Sequence, residues 1–491
     1  MRRDVACGQF TLISAARPYW VFFAVTAFPD DFFTPMGPRP PGWRDTPELR
    51  ALLDWFRSFM SAEEWKSRRN AACDRLYDAA SGKVVDEGGR FFDSEDKIGW
   101  YLLLADAFLD HVHNYEPMYG SRVVPILIAL GRDLELLKTV VGVEPRVQRL
   151  LLTEKAQPNG GLFELLVAVA YRRAGAQVAF VPEQPGARTH DLDVTLDGRS
   201  WAVECKRMET AEYGAREREL VRQLWGPCIA GLSREGPNGE GRSAICTAHF
   251  KVPVEEVPKN YFIRVVRGWV ASGQPNLLWE DEVAWGSVGE PDLGPLQAAL
   301  ADDDVLTAGT RMQELLCGRH ARNQNFSQVL RAKAGDNPRY TTACDLAIVL
   351  RWETLAEGSI DAKARDVFRK MVEASRQLPD DRPGIVHVGF EAVEGDEVER
   401  RRHAKIIANA AKFDPQGKPL EWLYCHYFVP ESPPLHMFEF DETIQWCGIR
   451  PTAPRPVEKL FLVVENDETF REGPHWQGPA LDPSPSLMSP G

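Results

Sequence analysis

Residues 191–206 read Asp-Leu-Asp-Val-Thr-Leu-Asp-Gly-Arg-Ser-Trp-Ala-Val-Glu-Cys-Lys, and this alternation leaves the stretch few ways to fold. Asp197-Gly198 is a strong two-residue hairpin turn, because both positions tolerate positive φ. Folding about it pairs Leu196 with Arg199, Val194 with Trp201, Leu192 with Val203 and Asp191 with Glu204. Leu192, Val194, Leu196, Trp201, Val203 and Cys205 then share an apolar face, while Asp191, Asp193, Glu204 and Lys206 share the other. A slip of one residue would bury the charged set, so the register is firmly specified.

Two carboxylates facing each other across a hairpin repel, and each raises the other's pKa unless a cation intervenes. A hard divalent cation removes the conflict: Mg²⁺ binds through one or two carboxylates, with water and phosphate oxygens completing its shell. Lys206 then stands where it can orient an attacking water or stabilise charge on a phosphate. The competing reading is a solvated hairpin face carrying a weak surface ion pair. Acid-x-Lys strings also occur at Glu64-Lys66, Glu95-Lys97 and Asp361-Lys363. Those lie in helical or turn-like contexts and read as charged surface, so context carries the signal and the tripeptide does not.

Upstream, residues 159–175 read as an almost wholly apolar helix stopped by Gly175, with Glu164 its lone acid. A first-turn glutamate suits the helix dipole, but a carboxylate in so apolar a helix also wants a partner or a metal. A short strand at 177–181 precedes the hairpin. A charged helix at 209–225 and an apolar strand at 243–250 follow it. The order is helix, three strands, helix, strand.

This order, with Glu164 in the first helix, Asp191 heading the second strand and Glu204-Cys205-Lys206 ending the third, resembles the PD-(D/E)XK nuclease superfamily over residues 159–250. Holliday-junction resolvases and Mrr-type enzymes share that restriction-endonuclease-like fold. His190 stands where the name-giving Pro usually sits, and Asp193 rivals Asp191 for the motif acid. The resemblance implies an α/β fold with an αβββαβ mixed-sheet core and Mg²⁺- or Mn²⁺-dependent hydrolysis of a nucleic-acid phosphodiester, leaving a 5′-phosphate. Asp191 and Glu204 would hold the metal, Glu164 (or Asp193) would support it, and Lys206 would manage the nucleophile. The superfamily also contains RNA-acting and inactive members, so a non-catalytic scaffold in a defence or regulatory complex is the alternative to a DNA nuclease of restriction, repair or phage defence.

The rest of the chain frames this core. Its 491 residues allow several domains: a mainly helical region at 1–155, the core at 156–254 and an insertion at 255–342. An α/β extension of the core, or a separate unit, follows at 343–450, then a C-terminal strand and disordered tail at 451–491. Helical periodicity marks 46–59, 97–113 and 123–141 in the first region, which could engage DNA, a partner subunit or a second copy. Strands are expected at 344–352, 384–390 and 420–429, and helices at 360–378 and 397–413.

The nine cysteines form no paired framework, which suggests reduced thiols in a cytoplasmic protein, and Cys205 is expected to pack, not react. The apolar run at 20–28 is too short to span a bilayer. A net charge of −13 counts against a generic DNA-coating protein, leaving local basic clusters to bind phosphate. The helix after the motif, with Arg216, Arg222 and Gln223, is the preferred contact. Clusters at Arg311, Arg319, Arg322, Arg331 and Lys333, on the helix of Lys363 to Arg376, and at Arg400 to Lys405 are more often solvated faces. No Walker A string or G-x-S-x-G elbow occurs.

Overall fold

Asp197 and Gly198 both take positive φ, 51° and 76°, as a two-residue hairpin with right-twisted strands requires. The structure, a computed structural model, describes residues 28–35, 43–80, 91–182, 189–209, 212–235, 240–318, 324–464 and 473–477. Most of the 20–28 run, Arg319, Arg322 and much of the 451–491 span lie outside these residues.

The first region is helical: α1 Pro47–Arg57, α2 Ala62–Ala80, α3 Lys97–Leu109, α4 Pro117–Arg132, α5 Leu134–Lys138 and α6 Val143–Leu152. The expected 123–141 helix breaks at Asp133 into α4 and α5. α3 is buried along its whole length, its start fixed by Asp96, which accepts from Gly99 N at 3.0 Å. The core helix follows as α7, Pro158–Arg173, with proline in its first turn. Then come β1 Gln177–Phe180, β2 Leu192–Leu196 and β3 Arg199–Arg207. The hairpin pairs Leu192 with Val203, Val194 with Trp201 and Leu196 with Arg199.

Beyond the hairpin the chain builds a second sheet before returning to the first. Its elements are α8 Glu212–Leu232, β4 Ala244–Phe250, α9 Tyr261–Ser272, β5 Asn276–Glu280, β6 Ala284–Gly289, α10 Gly294–Asp302, β7 Val305–Leu306, α11 Thr310–Cys317, β8 Asn325–Ala334 and β9 Tyr340–Thr354. After α12 Glu357–Lys363 and α13 Phe368–Ser375, the first sheet resumes with β10 Gly384–Glu391, α14 Asp396–Ala410, β11 Leu420–Glu431 and β12 Glu439–Gly448. The molecule is therefore mixed α/β. One six-stranded sheet has the order β1-β2-β3-β10-β11-β12; the other runs β5-β6-β4-β9-β7 with β8 on β9.

This corrects the expected membership of the core. The strand at 243–250 is not the neighbour of β3. As β4 it pairs with β6 and, in parallel, with β9, so the expected strand at 344–352 also leaves the first sheet. The free edge of β3 is taken by β10 in parallel, Val386 opposite Glu204. Both candidates are apolar strands buried on two faces, and adjacency in sequence does not choose between them. Strands β10 and β11 do extend the first sheet. The strand expected within 451–491 is absent among the described residues, where 462–464 form bends. Their backbone donors go instead to Glu442, which accepts from Leu462 N at 3.0 Å and Val463 N at 2.9 Å.

Helices cover both faces of the first sheet. Leu192, Val194, Val203 and Cys205 join α7 and helices α1–α4 in one continuous apolar core. On the opposite face Ala202, Val386 and Val388 meet Met371 and Ala374 of α13 and Ile406 of α14. A fully buried polar chain crosses the α7 side. Tyr171 meets His387 Nε2 at 3.0 Å, His387 Nδ1 meets His426 Nε2 at 3.1 Å, and His426 Nδ1 meets Glu442 at 3.1 Å.

Candidate active site

Alternation places Glu204 and Lys206 on the face of β3 that α13 covers, between Ala202 and Met208, which belong to the α13-side core. Glu204 is 0% exposed. One carboxylate oxygen, Oε1, accepts from Lys206 Nζ and from Gln377 Nε2, the latter at 2.7 Å. The other, Oε2, is buried with no hydrogen-bond donor among the described residues. Asp191 sits at the head of β2, where Cys205 N donates to its Oδ2 at 2.7 Å, and the charge of Glu204 raises its pKa. Two buried carboxyl groups so coupled resist ionising together unless a cation answers their charge.

The electrostatics follow from this packing. Burial, then the nearby Glu204 and Glu164, hold the Asp191 carboxyl well above the ordinary aspartate range. Burial also pushes Glu204 up to about 7, against the pull of Lys206. Burial alone would lower the Lys206 ammonium, but Glu204 outweighs it and the pKa is raised. Lys206 is therefore charged at neutral pH, and acts as a donor and counter-ion until its partner changes.

Glu164 belongs to the same electrostatic cluster, since its charge raises both Asp191 and Glu204. Its direct partner is Arg146 of α6, whose Nε donates to Glu164 Oε2 at 2.5 Å while Nη1 reaches Glu154 at 2.9 Å. Neither Arg146 nor Gln377 carries a signal in the sequence. Arg146 lies on an ordinary amphipathic helix, and Gln377 is 173 positions from Glu204.

The remaining candidates separate from this cluster. Asp193 Oδ1 is held by His190 Nε2 at 2.6 Å and Arg382 Nη1 at 3.1 Å, so its charge is already answered. Helix α8 packs mainly on α9, with α12, β8 and β9 beside it, and its Arg218 meets Glu394 beyond β10. There Arg216 is exposed, while Arg222 and Gln223 both bind Glu219. The other basic clusters are likewise engaged: Arg331 with Asp345, Lys363 with Glu217, Arg402 with Glu399 and Lys405 with Asp361. Cys205 is buried, and burial followed by the Asp191 charge keeps its thiol protonated. All cysteines among the described residues are free thiols.

The donor set near Glu204 is all oxygen, as Mg²⁺ prefers, but it is sparse. Among the described residues no group of three His, Cys, Asp or Glu side chains is arranged to hold a metal ion. Asp191 and Glu204 supply two, which is within the number Mg²⁺ ordinarily takes from protein. No family model, curated protein or solved structure matches this chain. Among the described residues no helix is long and apolar enough to cross a membrane.

Proposed function

We propose that the chain is a Mg²⁺-dependent phosphodiesterase of nuclease type, acting on DNA, built on a restriction-endonuclease-like core. The observation that carries this reading is the buried Glu204 Oε2, which lacks a donor among the described residues while Asp191 lies near enough for its pKa to be raised by the Glu204 charge. Two buried acids so close beside a lysine are costly unless a proton or cation joins them. The fold lends support. With the second sheet read as an insertion between β3 and α13, the order α7, β1, β2, β3, α13, β10 follows the helix, three-strand, helix, strand pattern of that core.

In this reading Asp191 and Glu204 hold Mg²⁺ or Mn²⁺, and Gln377 fixes the Glu204 carboxylate from the α13 side. Glu164, paired with Arg146, would support that charge from a distance. Lys206 orients the attacking water and offers a proton donor beside the phosphate. A divalent cation there supplies Lewis-acid polarisation of a phosphodiester oxygen. Purified Asp191→Ala and Lys206→Ala variants should retain the fold and lose Mg²⁺-dependent DNA cleavage by at least about a hundredfold. Cleavage at the wild-type rate by both would remove this site from consideration.

The second reading, a nuclease-like fold serving as a non-catalytic scaffold, is favoured by one specific observation: Glu164 and Lys206 are each already paired within the protein. Calorimetric Mg²⁺ binding that Glu204→Gln abolishes, with no cleavage of any DNA or RNA, would select it.

A further inference from the structure

A cavity of about 60 Å³ lies at the carboxyl ends of β3 and β10, roofed by α3, α4 and the first turns of α7. A single water needs only about 15 Å³ measured this way, so the space admits a group of several heavy atoms. Its position is the usual one for ligands of parallel strands, outside their carboxyl ends. Its cationic lining is Lys97, Arg122 and Arg207, facing the carboxylates Glu391 and Glu209. Each cation is backed by an aromatic ring: Lys97 by Phe92 and Tyr101, Arg122 by Tyr119, Arg207 by Phe428. Such stacking holds a guanidinium in place while leaving its edge open to an acceptor.

Arg207 is the deciding residue. Its side chain is 7% exposed, and among the described residues its buried Nη1 has no hydrogen-bond partner. Its acidic contact among them is long, Nη2 to Glu391 Oε1 at 3.4 Å, whereas Arg122 meets the other oxygen of Glu391 at 2.9 Å. An unmet buried guanidinium donor is costly; Arg207 lines the cavity, so a small turn of its guanidinium toward an oxyanion held there would satisfy it. The surroundings favour that anion. Burial would raise the Glu391 pKa, yet Arg122, Arg207 and Lys97 together hold it below the ordinary value.

We propose that this cavity binds a phosphate ester through Arg207, and that in the phosphodiesterase reading, on which the polymer source rests, it takes a terminal phosphate of a nucleic-acid strand. The same two elements serve both sites. α7 carries Glu164 and the lining residue Asn159, and β3 carries Glu204 and Lys206 immediately before Arg207. Asn159 Nδ2 donates to Glu209 at 3.2 Å, holding that carboxylate at the rim.

The test is calorimetry on the full chain in EDTA, where no metal-dependent cleavage can confuse the result. The probes are inorganic phosphate and a short single strand bearing either a 5′-phosphate or a 5′-hydroxyl. Wild type should bind phosphate and prefer the phosphorylated strand. Arg207→Gln should lose about tenfold or more in affinity for both, as expected for one charge-assisted hydrogen bond, and Arg207→Lys should recover part. Phosphate binding without strand preference supports the site but assigns it to free phosphate esters. No phosphate binding by wild type, or equal binding by a folded Arg207→Gln, overturns it. Should Arg207→Gln not fold, phosphate-induced hydrogen-exchange protection at residues 159–163 and 206–209 of wild type decides the same question.

Discussion

Asp191 and Glu204 hold their protons more tightly in the folded chain than in the unfolded one, and this fixes the sign of their effect on stability. For Glu204 the ordinary value is 4.5 and the folded value about 7. Below both values the pair costs nothing. As pH rises between them the metal-free protein loses stability, and above the folded value the full penalty applies. For Glu204 that penalty is on the order of 3 kcal/mol. Thermal melts in EDTA should therefore fall between about pH 5 and pH 8, less so in Glu204→Gln. Added Mg²⁺ should raise the melting temperature at the upper pH and hardly at the lower. Superimposable pH profiles for wild type and Glu204→Gln would contradict this account. Gln377 is tested separately. Its loss in Gln377→Leu removes one donor from a buried charged acceptor and should cost about 1.5–3 kcal/mol in urea denaturation. That Asp191, Glu204 and Lys206 come together was legible because they lie within one local pattern. Gln377 and Arg146 were not, since a long-range donor leaves no trace in the spacing of the residues it serves.

Among the elements, the hairpin was legible down to its register: Asp197-Gly198 and strict alternation are local instructions, and the pairing of Leu192 with Val203 follows from them. The neighbour of β3 was not legible, because its partner β10 begins only after a second sheet has been completed. How α7 sits on that sheet depends on one close approach. A Cβ on Gly389 of β10 would lie 2.5 Å from the ring of Phe163, a buried α7 residue. Gly389→Ala should thus cost about 1–3 kcal/mol through overpacking. It should also move α7, which carries both Glu164 and Asn159. Paired stability and cleavage measurements check it: an unchanged midpoint in denaturant would show that the seat is looser than the packing indicates.

The whole molecule is joined by long-range contacts that cross its apparent divisions. The β8–β9 hairpin of the second sheet reaches into the N-terminal helices, where Arg339, 5% exposed, donates to His113 O and Tyr115 O, both at 2.7 Å. Asn337 Nδ2 donates to Tyr77 at 3.0 Å beside it. Arg339→Met would leave two buried carbonyls unmet, and should cost about 2–4 kcal/mol and speed hydrogen exchange in residues 111–116. Exchange unchanged there would show the two regions to be energetically separate. The sequence reading set a boundary near residue 155, but the apolar core runs across it without a break, because helices that face a sheet share its core whatever their place in the chain. The carboxylate of Glu442 carries a similar lesson for anyone shortening this protein. A cut after residue 459 would look harmless on paper, yet it would strip the peptide hydrogens of residues 462–464 from an anion sealed inside the fold. The vacancy would be felt through His426 and His387 at Tyr171, on the helix that bears Glu164, so trimming the far end of the chain would disturb the support of its proposed reaction centre.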